Sequence, residues 1–242
     1  KGIGKTLYGL NLAVSLHQET QKRSIFLQIG RKFDDVLRAL SIDSAQTIDI
    51  KDIGFDVPRL HDLIIRHQTG IDFLGVAYSN GTDADISAVI SILSHLTNDY
   101  HYIIIDLPAE LDPTVFKTLT QSDLIHLVTD TEEGNLNIIA KLIVDLRTSL
   151  KHAEPKIKII ANELKKGDAV AVEKRAQILK HEIWANLPFI VDKGQLGPQE
   201  MLLVVDQPAG EYARAIRRIA RQIGQVMVGL ALGCGAASGL AH

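Results

Sequence analysis

"KGIGKTLYGLNLAVSL", residues 1–16, joins a glycine-lysine-threonine run to a stretch with apolar residues at helical spacing, Leu7, Leu10 and Val14. In a full phosphate-binding loop, G-x-x-x-x-G-K-[ST], glycines let backbone N–H groups approach phosphate oxygens. The Lys then reaches the terminal phosphates and the hydroxyl ligates Mg²⁺. Gly4, Lys5 and Thr6 fill the last three places, Gly2 lies inside the loop, and the first glycine of the pattern would fall ahead of Lys1. Such a loop hangs between a buried strand and a helix, and the sequence holds no residue ahead of Lys1 to form that strand. On its own the fragment reads equally as an ordinary helix N-terminus.

Outward from this stretch, strands and helices alternate. "RSIFLQIG" is an apolar burst ended by Gly30, and "DDVLRAL" a short helix. In "VPRLHDLIIRHQTG" the residues Leu60, Leu63, Ile64 and His67 share a helical face, with Gly70 as the C-terminal stop. "IDFLGVAYSN" reads as a strand and "DADISAVISILSHLTNDY" as a helix. The run Tyr102 to Ile105 in "YHYIIIDLPAELDP" is apolar without alternation, as expected of a strand covered on both faces. "SDLIHLVTD", a helix over roughly 134–150, "KIKIIANEL", a helix over roughly 169–181 and "EIWANLPF" continue the series. Strands separated by helices of crossover length imply an α/β fold with a doubly wound, mostly parallel sheet, whose ligands sit at the carboxyl ends of the strands. Asp106 ends such a strand and is placed to serve the loop as a second ligand for Mg²⁺; its alternative is a turn former. Thr129, Asp130 and Glu132 end another, where turn chemistry explains them equally well.

Composition narrows the function classes. The 242 residues are near half apolar with a formal net charge of −3, an ordinary globular balance that gives no argument for nucleic acid. Cys234 is the lone cysteine, so no disulfide forms within the chain and a reducing cytoplasm is expected. The nine histidines show no metal-ligand spacing: His61 and His67 are six apart, as are His95 and His101, and no zinc site is expected.

"GIGKTLYGLNLAVSL", "YHYIIIDLPAELDP", "SDLIHLVTDTEEGNLNIIAKLI" and "LPFIVDKGQLGPQEMLLVVDQPAGEYARAIRRIARQI" together resemble the MinD/ParA group of deviant Walker P-loop ATPases, and their pilus-assembly CpaE-like branch. The resemblance runs over roughly residues 1–223. It implies a domain over 1–225, lacking its first strand, that binds ATP and Mg²⁺ through Gly2, Gly4, Lys5, Thr6 and Asp106. Lys5 would act on the terminal phosphates, Thr6 and Asp106 would hold Mg²⁺, and Asn162 matches the family's adenine-contacting Asn. It further implies a nucleotide-dependent homodimer that switches on a membrane, a chromosome or a partner. Two departures stand out. Lys1 lies one place closer to Gly4 than the family's signature Lys, and Gln28 and Gly30 occupy the places of its D-x-D carboxylates. Neither residue can act as a base, and general-base help is worth about 10²- to 10⁴-fold. Weak or absent ATP hydrolysis is therefore expected.

The end of the chain carries two further signals. "YARAIRRIARQI" puts Ala213, Ile216, Ile219, Ala220 and Ile223 on one stripe, with four arginines largely outside it. Packing onto the domain is the first reading; a peripheral membrane contact, at the inner surface of the membrane, is the second. "VGLALGCGAASGLAH" resembles the opening of a patatin-like phospholipase domain, in which Gly233, Cys234 and Gly235 would be the remnant of an oxyanion-hole turn. Residues 226–242 are thus read as the truncated start of a second domain, fused in the parent protein to a lipid hydrolase. The stretch to His242 contains no G-x-S-x-G nucleophile motif. Two other readings remain for this uncharged segment: a membrane-crossing helix, from the G-x-x-x-G spacings of Gly229, Gly233, Gly235 and Gly239, or a strand, "VMVGLALG", added to the sheet. The whole is read as an ATP-binding regulatory or dimerisation module, with a degenerate scaffold that binds no nucleotide, or a membrane switch, as its rivals.

Overall fold

In "SIFLQIG" alternate side chains go to opposite sides: Ile25, Leu27 and Ile29 join one buried cluster while Phe26 joins another. All seven residues are buried, which is the burial expected of a strand with helices over both faces. The computed structural model describes residues 3–30, 34–42, 48–50, 57–77, 82–149, 155–164, 170–190 and 201–227. In chain order its elements are α1 (Lys5–Thr20), β1 (Ser24–Gly30), α2 (Asp34–Ala39), β2 (Ile48–Asp49), α3 (Val57–Leu63), β3 (Ile65–Arg66), β4 (Asp72–Ala77), α4 (Asp83–Asp99) and β5 (Tyr102–Asp106). They continue with α5 (Pro113–Gln121), β6 (Ile125–Thr129), α6 (Glu133–Ser149), β7 (Ile157–Asn162), α7 (Val172–Leu179), β8 (Ile183–Leu187), α8 (Leu203–Asp206) and α9 (Glu211–Ile223).

The sheet is in two parts. β2, β4, β1 and β5 pair in that order, all parallel, with β3 antiparallel on β4; β6, β7 and β8 form a second parallel set. Among the described residues no strand pairs with the outer edge of β5 or with the free edge of β6. One core cluster joins α1, α2, α8 and α9 to residues of both parts, from Phe26 and Phe73 to Val128, Ile160 and Leu187. On the other side α3 and α4 cover the first part, while α5, α6 and α7 cover the second. This is the doubly wound α/β layer expected from the alternation, with helices on both faces of a mostly parallel sheet.

Local chemistry sets the helix starts. Thr82 accepts from the Asp85 N–H at 3.2 Å while Asp85 accepts from the Thr82 N–H at 3.0 Å, a reciprocal cap that fixes the start of α4. Asp112 accepts from the Val115 N–H at 2.9 Å and Pro113 follows it, so α5 begins with one donor satisfied and one never present. At Gly9 an added Cβ would lie 3.1 Å from the Phe26 ring, so glycine is what lets α1 settle close on the sheet.

Two expectations change. The helix read over 57–70 ends at Leu63, and Ile65–Arg66 turn instead into a short antiparallel strand against β4. Adjacent β-branched Ile64 and Ile65 favour extended backbone there, and Gly70 closes the turn into β4 rather than a helix. The apolar run of β5 was expected to be covered on both faces, yet Tyr102 to Ile105 are only partly buried, because β5 is an edge of its pairing set.

The stripe on α9 is taken up by packing. Ala213, Ile216, Ile219 and Ala220 are buried in the cluster shared with α1, and Arg221 holds Glu19 of α1 at 2.7 Å. Burying an Ile is worth about 1.5–3 kcal/mol, which commits this face to the core and leaves the arginines outside. Among the described residues no helix is long and apolar enough to cross a membrane. The segment 228–242, with Gly233, Cys234 and Gly235, lies outside the described residues.

Candidate functional site

α1 starts without a side-chain cap. Its N-cap, Gly4, has φ 81° and ψ 19°, left-handed backbone that glycine adopts at no steric cost, so the first N–H groups of a 16-residue helix open toward the strand ends. Such an uncapped terminus favours an anion, through its free donors and the helix dipole.

Asp106 ends β5 opposite this terminus. Its Oδ2 accepts from the Thr6 hydroxyl at 2.7 Å and from the Gln28 amide at 3.3 Å, and its Oδ1 faces the Lys5 ammonium at 3.4 Å. The β1–β5 register explains the Gln28 contact, since Gln28 and Asp106 are Cα partners and alternation sends both toward α1. The carboxylate side chain is 6% exposed and that of Lys5 is 34% exposed, so the acid is fixed within the fold while the ammonium keeps access to solvent.

Asp106 Oδ1 and Gln28 Oε1 are buried and accept no hydrogen bond. With the Thr6 hydroxyl oxygen, they form a set of hard oxygen donors beside the anion-attracting helix end. This set suits Mg²⁺, which takes oxygen ligands and fills its remaining positions with water and phosphate.

Asn162 ends β7 and donates to the Ile3 carbonyl at 2.8 Å. A Cβ on Gly4 would come within 2.5 Å of its amide nitrogen, so the loop backbone lies directly against this side chain. Asn162 therefore ties the loop to the second part of the sheet. Asp130 accepts from the Glu132 N–H at 3.0 Å and the Asn135 amide at 2.7 Å, in a turn that starts α6. Gly2, Lys1 and residues 191–200 lie outside the described residues. Sequence reading did not find Gln28 as a hydrogen-bond donor to Asp106; only the strand register reveals it.

Behind the loop, the Tyr8 hydroxyl meets His126 Nδ1 at 2.7 Å, and Trp184 lies over the same imidazole with ring centroids 5.4 Å apart. Burial pushes the Tyr8 hydroxyl well above its ordinary range, so it stays protonated and shares a hydrogen bond with Nδ1 whose direction the imidazole tautomer sets. Burial first, and the Lys158 ammonium second, push His126 down from 6.5 to about 4. Its Nε2 is buried without a hydrogen-bond partner, so a charged ring, with N–H at both nitrogens, would leave the donor at Nε2 without an acceptor. Above pH 6.5 both folded and unfolded chains hold a neutral imidazole and the group's contribution is complete. Between pH 6.5 and about 4 only the unfolded chain takes up the proton, and stability falls through that window by about 3 kcal/mol. Urea unfolding at pH 7 and pH 4 should show this loss shrinking by about that amount in His126→Gln; an equal pH dependence in both chains contradicts it.

A parallel α/β layer, with a glycine-lysine-threonine helix start facing an acid at a strand's carboxyl end, is the fold of P-loop nucleotide-binding proteins. Among solved structures with this fold, a ParA family ATPase from Chlorobium tepidum superposes with a TM-score of 0.73 at 22% identity, covering 91% of this chain and 93% of that one. MinD in a MinC:MinD cell division complex from Aquifex aeolicus gives 0.75 at 20% identity, covering 96% and 95%. MinD complexed with Mg-ADP from Pyrococcus horikoshii gives 0.72 at 21% identity, covering 93% of each chain. At these identities the likeness establishes the fold. No family model matches the sequence, and no curated protein matches it.

Proposed function

We propose that this chain is a nucleotide-responsive regulatory or dimerisation module of the MinD/ParA type, binding ATP with Mg²⁺ at the N-terminus of α1. The observation that carries this reading is the convergence of Lys5, Thr6 and Asp106 at an uncapped helix start. Gly2, Gly4 and Lys5 would hold the phosphates, and Thr6 and Asp106, directly or through water, the metal ion. Mg²⁺ would supply charge neutralisation at the phosphate oxygens. Asn162, which fastens the loop through the Ile3 carbonyl, would contact the adenine. Turnover is expected to be weak or absent, because the residue beside Asp106 is Gln28, an amide that cannot accept a proton at neutral pH.

The MinD structure with Mg-ADP and the MinC:MinD complex support a nucleotide and a protein partner for this fold. By that analogy the chain acts as a nucleotide-dependent homodimer in the cytoplasm. We assign residues 1–225 to this domain and 226–242 to the start of a patatin-like lipid hydrolase in the parent protein. Peripheral membrane contact through α9 finds no support, since its apolar stripe lies in the core.

One observation favours a second reading, a scaffold without nucleotide: Thr6, Gln28 and Lys5 already engage the Asp106 carboxylate, and Asn162 fills the space beside Gly4. Equilibrium titration with a fluorescent ATP analogue, with and without Mg²⁺, separates the two. The nucleotide reading expects saturable binding strengthened by Mg²⁺, and size-exclusion chromatography with ATP expects a dimer. Absence of Mg²⁺-dependent binding establishes the scaffold.

A further inference from the structure

At the other end of β5 from Asp106, the last turn of α4 presents two side chains and α3 brings up a third from 34 residues away. On α4, His95 and Asp99 are four residues apart and so share one face, one above the other. His61 comes from α3, with its Nε2 2.9 Å from His95 Nε2 and 3.6 Å from Asp99 Oδ2. The imidazoles meet edge to face with centroids 4.8 Å apart, and one donor atom from each of the three residues lies within 4.8 Å of the others. Between the end of α4 and Asp106 runs the length of β5, roughly 15 Å at about 3.3 Å per residue. This cluster is therefore separate from the nucleotide site.

Two imidazole nitrogens this close need something between them. A single proton can serve, donated by one Nε2 to the lone pair of the other. A metal ion serves both lone pairs at once and takes the carboxylate as well. Around a tetrahedral ion with bonds of about 2.0–2.1 Å, ligand atoms stand about 3.3–3.4 Å apart; the two spacings from His61, 2.9 and 3.6 Å, bracket this value, and the three ligand atoms all lie within 4.8 Å of one another. His61 is exposed and His95 and Asp99 are half-buried, so small rotations of their side chains can close the difference.

We propose that His61, His95 and Asp99 form a binding site for a divalent ion of the zinc type, which clamps α3 against α4. Two imidazoles and one carboxylate select borderline ions such as Zn²⁺, Co²⁺ or Ni²⁺ over the hard Mg²⁺ and Ca²⁺, which prefer oxygen throughout. Three protein ligands leave a position for water. The consequence is structural: α3 has only seven residues, too short to hold itself, and the ion ties it to the 17-residue α4.

The test is isothermal titration of the metal-free chain with Zn²⁺ in millimolar Mg²⁺, alongside His95→Ala and Asp99→Asn. One ion per chain is expected, together with a rise in the melting temperature. Replacing a direct ligand should weaken binding by more than the 10- to 100-fold that outer-shell losses typically cost, so about 100-fold or more for His95→Ala. Co²⁺ gives an independent readout, an intense visible absorption in the wild-type chain that His61→Gln abolishes. These side chains lie at the surface, and far-UV circular dichroism of the metal-free variants should match wild type. Zn²⁺ binding of unchanged affinity in a His61→Ala, His95→Ala double variant assigns the ion to other histidines and overturns the proposal, as does the absence of any binding in wild type. Neither result depends on whether ATP binds.

Discussion

Lys5→Ala in the intact chain is expected to weaken binding of Mg-ATP by about 100-fold. The ammonium sits 3.4 Å from Asp106 and keeps partial solvent access, so it can leave the carboxylate for an incoming phosphate without unfolding the loop. A hydrogen bond to a charged group contributes about 1.5–3 kcal/mol. At about 1.4 kcal/mol per tenfold, the upper end of that range gives the stated factor. Asp106→Asn should behave differently: the amide oxygen still accepts from Thr6, so the loop keeps its shape, but the charge that holds the cation is gone. Affinity for ATP without Mg²⁺ should then be held or improved, while the strengthening by Mg²⁺ disappears. Titrations of both variants at matched ionic strength decide the matter, and wild-type affinity in Lys5→Ala removes the phosphate role assigned to it.

Asn11→Leu is expected to cost about 4 kcal/mol of folding stability, with no direct contact to ligand. Asn11 is completely buried in α1. Its amide donates to the Met201 carbonyl at 2.6 Å and to the Leu7 carbonyl at 2.8 Å, and its oxygen accepts from the Val204 N–H at 2.9 Å. One side chain therefore docks the segment leading into α8 onto the helix that starts at the loop. Leucine has nearly the same volume but leaves the part-buried Met201 carbonyl and the buried Val204 N–H without these partners, at about 1–3 kcal/mol each. Against a usual total of about 5–15 kcal/mol, the midpoint of urea unfolding should fall sharply. A loss below about 1 kcal/mol means that water reaches both backbone groups.

The alternation of strands and helices was legible because strands sandwiched between helices have apolar runs that few other elements carry. Asp106 was legible for a related reason: an acid ending such a run must lie at the sheet edge where α/β folds place their ligands. What stayed hidden needed tertiary knowledge. The pairing of Gln28 with Asp106 depends on the β1–β5 register, and the hold of Asn162 on the Ile3 carbonyl spans 159 residues. His61 and His95 stand 34 residues apart, so no metal-ligand spacing within either segment could announce their meeting. The helix read through 57–70 failed where tandem Ile64 and Ile65 prefer the extended conformation, and a pattern of apolar spacing alone does not weigh that preference.

The break in strand pairing gives α1 a second task. Among the described residues, β5 and β6 exchange no hydrogen bonds, so force applied to one half of the sheet cannot reach the other through the backbone ladder. One bridge is the helix laid across both, by way of Gly9 on Phe26 and Ile104 to one side and Tyr8 on His126 to the other. The same rod whose tip would take up phosphate is thus a splint between the halves.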